Sequence, residues 1–252
     1  MLAVQNLSIE FGGLKAVSNL DLNINDRQVV GLIGPNGAGK TTVFNMLTGV
    51  YTPTAGQISY DGESINGLKP YAITEKKIAR TFQNIRLFSE LSVIDNVKIS
   101  YNYRVKYNLF DSIFRTKKFR EEEKKIQEES IELLKAFSLD TKKDELAKNL
   151  SYGEQRRLEI VRALATKPSL LLLDEPAAGM NPQETIDLME MINWIKDRFN
   201  ISVLLIEHDM KLVMGICEKI VVLDYGKKIA EGTPEEIKNN PRVIEAYLGE
   251  GA

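Results

Sequence analysis

Val29-Val30-Gly31-Leu32-Ile33-Gly34-Pro35-Asn36-Gly37-Ala38-Gly39-Lys40-Thr41-Thr42 decides the fold of this 252-residue chain. The apolar run Val29 to Ile33 reads as a buried strand and Lys40 to Thr48 as a helix. Between them, Gly34 to Thr41 fits G-x-x-x-x-G-K-[ST]. Glycines there let successive backbone N–H groups turn inward around phosphate oxygens, and the helix N-terminus adds its positive dipole. Lys40 is placed to reach the outer phosphates, and the Thr41 hydroxyl is placed to meet Mg²⁺. A strand, a glycine turn and a helix in this order predict a nucleotide phosphate site of the P-loop kind.

Working outward, the runs Ala3 to Ile9 and Leu20 to Ile24 read as further strands. Leu170 to Leu173, Val203 to Ile206 and Ile220 to Leu223 read as buried parallel strands alternating with helical patterns. From Ser89 to about Leu150 polar and charged residues dominate, and Ile126, Leu133, Leu134 and Phe137 fall on one helical face. The expectation is an α/β core over 1–88 and 160–252 with a helical subdomain inserted at 89–159. No internal repeat and no second glycine loop is visible, so the chain carries one nucleotide-binding unit.

Composition limits what else the chain can be. Hydrophobic residues make up 43% and charged residues 27%, ordinary for a globular protein. No apolar run approaches the ~18 to 20 residues that cross a bilayer. Met1 to Gln5 has no basic segment followed by an apolar one, so the sequence predicts a cytoplasmic protein. One cysteine, Cys217, leaves no internal disulfide and fits a reducing compartment. A net charge of −2 provides no global field for nucleic acid, and no nucleic-acid partner is expected.

Two further motifs narrow the reading. Leu150-Ser151-Tyr152-Gly153-Glu154-Gln155 precedes Asp174-Glu175, and Asp174 ends a strand-like run, where α/β folds place ligands. Its carboxylate can hold Mg²⁺ through a water, and Glu175 is a candidate general base for an attacking water. Together with the glycine loop, this order resembles the ATP-binding cassette (ABC) family across essentially the whole chain. The resemblance implies a P-loop NTPase with a RecA-like α/β core, an antiparallel β portion near the N-terminus and a helical subdomain. It also implies ATP and Mg²⁺ as cofactors and two subunits that sandwich two ATP molecules head to tail.

Residue by residue, the family pattern assigns His208, the only histidine, to the switch that contacts the γ-phosphate. Gln83 in Arg80-Thr81-Phe82-Gln83 resembles the Q-loop glutamine, which reaches Mg²⁺ and the attacking water and couples nucleotide state to the helical lobe. The phosphate loop comprises Gly34, Pro35, Asn36, Gly37, Ala38, Gly39, Lys40, Thr41 and Thr42. Phe11 stands where an aromatic stacks on adenine, although a bare aromatic there fits a core position as well. Ser151 and Gly153 would act on a neighbouring subunit's ATP, while Tyr152 and Glu154, which depart from the commoner Gly-Gly, are expected to face outward. Asn181 stands where the family's D-loop commonly has Asp.

Arg80 to Phe88, Asp174 to Gly179 and the ending Glu231 to Glu236 with Ala246-Tyr247-Leu248-Gly249 look like the ATP-binding subunit of branched-chain amino acid importers. That resemblance implies membrane-spanning permease subunits, an extracytoplasmic solute-binding protein acting indirectly, and a peripheral position on the cytoplasmic face of the inner membrane. The lipopolysaccharide-export ATPase is the nearest rival. Soluble ABC ATPases acting on DNA or ribosomes are a more distant one, because they commonly carry coiled-coil insertions or two cassettes.

One stretch is not absorbed by these motifs. Tyr103, Tyr107, Phe110 and Phe114 are spaced as one helical face, with Arg104, Lys106, Arg115, Lys117, Lys118 and Arg120 around them and only Asp111 opposing. Three readings stand: an aromatic face packed on the helical lobe with solvated cations, a nucleic-acid surface, or a basic edge toward anionic lipid.

Overall fold

In the computed structural model, residues 1–248 are described. Gly249 of the C-terminal resemblance lies outside them. In chain order the elements are β1 (Leu2–Phe11), β2 (Leu14–Ile24), β3 (Val29–Ile33), α1 (Lys40–Leu47), β4 (Ala55–Tyr60), β5 (Glu63–Ser64), α2 (Pro70–Glu75) and β6 (Ile78–Arg80). Then come α3 (Val93–Ile99), α4 (Leu109–Phe114), α5 (Lys117–Ala136) and α6 (Tyr152–Ala165). The chain closes with β7 (Leu170–Asp174), α7 (Pro182–Phe199), β8 (Ser202–Ile206), α8 (Met210–Ile216), β9 (Lys219–Asp224), β10 (Lys227–Gly232), α9 (Pro234–Lys238) and α10 (Pro241–Leu248).

Two compact units result, one of Met1–Gln83 with Ser169–Ala252 and the other of Asn84–Pro168. These limits differ from the 88/89 and 159/160 drawn from composition. The second difference has a simple cause, since 159/160 falls inside α6, a 14-residue helix that runs unbroken. Polarity changes along a helix from turn to turn, whereas a unit boundary needs a place where few contacts cross.

In the first unit, β3, β7 and β8 are buried at every residue. Continuous apolar runs are what a strand covered on both faces requires. They form the centre of a six-stranded sheet ordered β10-β9-β3-β8-β7-β6, parallel except at the β10–β9 hairpin. A second sheet, β2-β1-β4-β5, is antiparallel, and its β1 and β2 alternate buried and exposed residues along much of their length. One apolar cluster joins the sheets and α1, from Leu7 and Leu20 through Phe44 and Leu47 to Leu172 and Leu204. Burial of this kind contributes about 25 cal/mol per Å² of apolar surface removed from water.

Within the second unit, α3, α5 and α6 share a core that includes Val97, Ile126, Leu134, Phe137, Leu158 and Val161. Arg156 is fully buried there and pairs with Glu159 at 2.8 Å. The aromatic segment does not form the single helix read from its spacing. Tyr103 sits in a short 3₁₀ turn, the backbone is extended at Asn108, and α4 stops at Arg115 in the left-handed region (φ 46°). No residue of α4 is buried, so its aromatics do not pack on this unit as the blandest reading required.

Candidate functional site

The phosphate loop owes its shape to one close approach. Gly34 has φ 149°, and a Cβ there would stand 2.0 Å from the Leu223 carbonyl oxygen of neighbouring β9, so only glycine lets β3 turn into the loop here. Lys40, at the first turn of α1, is buried and donates from Nζ to the Gly34 and Pro35 carbonyl oxygens at 2.7 and 2.8 Å. The ammonium is thereby held over the loop. Asn36, Gly37, Ala38, Gly39, Lys40, Thr41 and Thr42 line a cavity of about 430 Å³, together with Glu175, His208 and Tyr225. A cavity of that size accommodates a nucleotide-sized ligand.

Carboxylates arrive from the C-terminal ends of the strands. Asp174 ends β7, is 3% exposed, and accepts from Arg80 Nη2 at 2.7 Å. Arg80 itself is fixed by Asn45 Oδ1 at 2.8 Å and lies over the Phe44 and Phe82 rings. Glu175 follows with φ 46°, an uncommon conformation for a residue with a side chain. Its Oε2 accepts from Gln83 Nε2 at 2.6 Å, and its Oε1 lies 3.0 Å from His208 Nε2. Three residues far apart in sequence therefore meet at one carboxylate, and two of them, Glu175 and His208, also line the cavity.

Sequence reasoning missed two partners. Arg80, which the sequence offers only as one residue of the Arg80-Thr81-Phe82-Gln83 motif, pairs with Asp174. Glu207, 3% exposed after β8, accepts backbone N–H bonds from Ala177 at 2.7 Å, His208 at 3.0 Å and Asp209 at 3.4 Å. It ties the loop after Glu175 to the loop bearing His208. An acid directly following an apolar strand was the available signal. Burial raises the Glu207 pKa, so the folded chain holds this proton more tightly than the unfolded one. The stability so contributed is complete below the unfolded pKa and is lost as pH rises through the raised folded value. We expect Glu207→Ala to lower stability by about 1 to 3 kcal/mol through orphaned buried donors. Glu207→Gln keeps one acceptor oxygen for donors that reach both carboxylate oxygens, so it should recover only part of that loss. Denaturant midpoints at pH 5 and pH 8 test both.

Other expected residues are placed differently. Phe11 ends β1 at 44% exposure and packs edge-on against Tyr51, ring centroids 5.2 Å apart, without lining the cavity. Asn181 Oδ1 accepts from Gln183 and Glu184 N–H at 2.9 and 3.0 Å, capping α7 ahead of Pro182. In the second unit Ser151 caps α6 in a reciprocal box with Glu154. Glu154 does not simply face outward: it accepts from the Ser151 N–H and hydroxyl at 2.9 Å each and pairs with Lys142 at 2.8 Å. Lys142 first, with the Ser151 bonds, holds its pKa down at about 2. Gly153 has open space, since a Cβ there would meet nothing within 4 Å.

Among the described residues, no three histidine, cysteine or carboxylate side chains gather into a metal cage. Thr41, Asp174 and Gln83 each carry an oxygen donor, the ligand type that hard ions take, and Asp174 is already paired with Arg80. No helix is long and apolar enough to cross a membrane among these residues.

Comparison with known proteins supplies relatives for this arrangement. The family model described as ABC transporter matches residues 17–178, and one described as branched-chain amino acid ATP-binding cassette transporter matches 227–252. The chain is 49% identical over 250 residues to the high-affinity branched-chain amino acid transport ATP-binding protein BraF of Pseudomonas aeruginosa, covering 99% of this chain and 98% of that protein. To LivG of Escherichia coli, described in the same terms, it is 47% identical over the same extent. The lipopolysaccharide export system ATP-binding protein LptB of Haemophilus influenzae is 35% identical over 250 residues, with 99% and 98% covered. A crystal structure of the ADP conformation of an ABC transporter's ATP-binding cassette superposes with a TM-score of 0.86 at 30% identity, covering 99% of this chain and 98% of that one.

Proposed function

The chain belongs to the ABC transporter family and binds and hydrolyses ATP as that family does; we propose that it powers the import of branched-chain or related hydrophobic amino acids through separate membrane-spanning subunits. The observation that carries the solute class is the graded similarity, 49% to an importer subunit against 35% to the lipopolysaccharide exporter at equal coverage. The match over 227–252 supports the same choice. In this reading the protein sits peripherally on the cytoplasmic face of the membrane. It pairs with a second ATPase subunit, and a solute-binding protein on the other side signals through the permease.

The residues take roles that their geometry suits. Loop N–H groups from Gly34 to Thr41 and the Lys40 ammonium hold the β- and γ-phosphates. Thr41, Asp174 and Gln83 are the candidates to hold Mg²⁺, which when bound neutralises charge on the phosphate oxygens. Glu175 polarises the attacking water, with Gln83 and His208 fixing its two oxygens. His208 also lines the cavity, and in this reading it contacts the γ-phosphate. Phosphoryl transfer needs little covalent chemistry from the protein, so positioning of this kind is the main contribution. Ser151 and Gly153 complete the site of the paired subunit, and Asn181 lies at the same proposed interface. Phe11 remains the candidate for adenine, on a flat ring that is 44% exposed.

The direct test is ATP turnover in proteoliposomes carrying the permease subunits. With the binding protein present, leucine, isoleucine or valine should raise the rate, because loaded binding protein favours the closed state. Stimulation by lipopolysaccharide instead would move the assignment to export. Stimulation by DNA or ribosomes without a membrane partner would reject transport.

A further inference from the structure

Residues 101–120 carry six basic side chains against Asp111, a net charge of +5 in a chain whose total is −2. Within them, α4 sets Leu109, Phe110, Ile113 and Phe114 on one face, at positions i, i+1, i+4 and i+5. Their exposures are 77%, 63%, 66% and 64%. Two bulky aromatics and two aliphatics side by side, with Phe110 and Phe114 rings 4.4 Å apart, make an apolar patch of the sort that marks an interaction surface.

The patch sits on a fixed mount. Asn108 and Asp111 form a capping box at the start of α4, and Thr116 donates to Asp111 Oδ1 at 2.9 Å before capping α5. Tyr107 packs on Phe119 at 4.9 Å and donates to Glu123 at 2.8 Å. These bonds engage Asp111 and Glu123 within the mount. The Asp111 side chain is 15% exposed and lies 3.8 Å from Lys118, whereas Lys117 and Lys118 are 89% and 56% exposed. Lys117 also approaches Glu121 at 3.7 Å, an exposed pair of the kind that screens readily.

We propose that α4 and its basic flanks form a membrane-surface dock, with the Leu109–Phe114 face entering the headgroup boundary of a bilayer and the cations meeting anionic lipid. An apolar helical face rimmed by lysine and arginine is the pattern that binds such interfaces, and neither signal alone anchors stably. Charge decides against the other obvious occupant. Two-fold pairing of α4 with a second copy would set the same basic rim against itself. The dock is independent of the transported solute and needs no permease, so its failure leaves the transport reading untouched.

Co-sedimentation of the full chain with vesicles tests it. Phosphatidylcholine vesicles holding about one third phosphatidylglycerol should pull the protein down, while phosphatidylcholine alone should not. Phe110→Ser with Phe114→Ser, and separately Lys117→Gln with Lys118→Gln, should each weaken binding by about tenfold or more, and added salt should weaken the parent similarly. All four side chains are exposed, so circular dichroism should show both variants folded. Absence of binding to anionic vesicles, equal binding to neutral ones, or folded variants that bind as the parent does would each overturn the proposal. So would a patch-dependent shift of the chain to dimer in place of vesicle binding.

Discussion

Glu175→Gln should lower ATP hydrolysis by the assembled transporter by about 10²- to 10⁴-fold, or ~3 to 5 kcal/mol in the barrier, while ATP binding should persist. The structure makes this substitution unusually clean. Glutamine at 175 can still accept from Gln83 through its amide oxygen, and its amide nitrogen can donate to His208 Nε2 once the ring carries its proton on Nδ1, so both contacts at 2.6 and 3.0 Å have replacements. What it lacks is the capacity to take a proton. Lys40 and its two loop carbonyls are untouched, so nucleotide affinity should change little. Phosphate release measured beside equilibrium ATP binding separates the two quantities. Size exclusion with ATP should show a trapped pair of subunits, and near-normal turnover in this variant would sink the base assignment.

That constellation was only partly legible in the sequence. The strands β3, β7 and β8 announce themselves because a strand buried on both faces must be apolar throughout, and Gly34 to Thr41 is a local motif whose function lies in its own backbone. Glu175 and His208 could be picked out by family pattern, but nothing in their spacing says that they meet. Arg80 illustrates the harder case. Its partner Asp174 lies 94 positions away, and only the adjacency of β6 and β7 in the sheet brings them to 2.7 Å. Periodicity misled at Tyr103 to Phe114 for a different reason. Helical spacing is a statement about the face only if the helix continues, and the extended backbone at Asn108 separates Tyr103 and Tyr107 from α4. Glu154 departs from the expected outward placement because a capping box uses its third residue inward, toward the cap, whatever its charge suggests.

Gly153→Asp should leave the chain's own ATP affinity within about twofold of the parent, yet reduce turnover of the assembled transporter by about 10²-fold or more. The argument rests on a contrast between two glycines. At Gly34 a side chain is forbidden by the chain itself, 2.0 Å from Leu223, so Gly34→Ala should displace the phosphate loop and weaken ATP binding directly. At Gly153 a Cβ meets nothing within 4 Å, and the residue lies in the first turn of α6 just after the Ser151 cap. Nothing in its own subunit calls for glycine there. In the proposed head-to-tail pair the requirement comes from outside, where the backbone of this turn must approach another subunit's γ-phosphate with the α6 N-terminus aimed at it. A carboxylate in that place adds bulk and like charge against phosphate at once. Helix propensity changes only slightly, and Asp is favoured in a first helical turn, so thermal stability should hold. Isothermal titration with ATP on the isolated chain and phosphate release from the reconstituted complex give the two numbers. If ATP affinity of the isolated chain falls along with turnover, Gly153 serves its own subunit's nucleotide and the shared-site arrangement is wrong; if neither changes, this segment does not meet ATP.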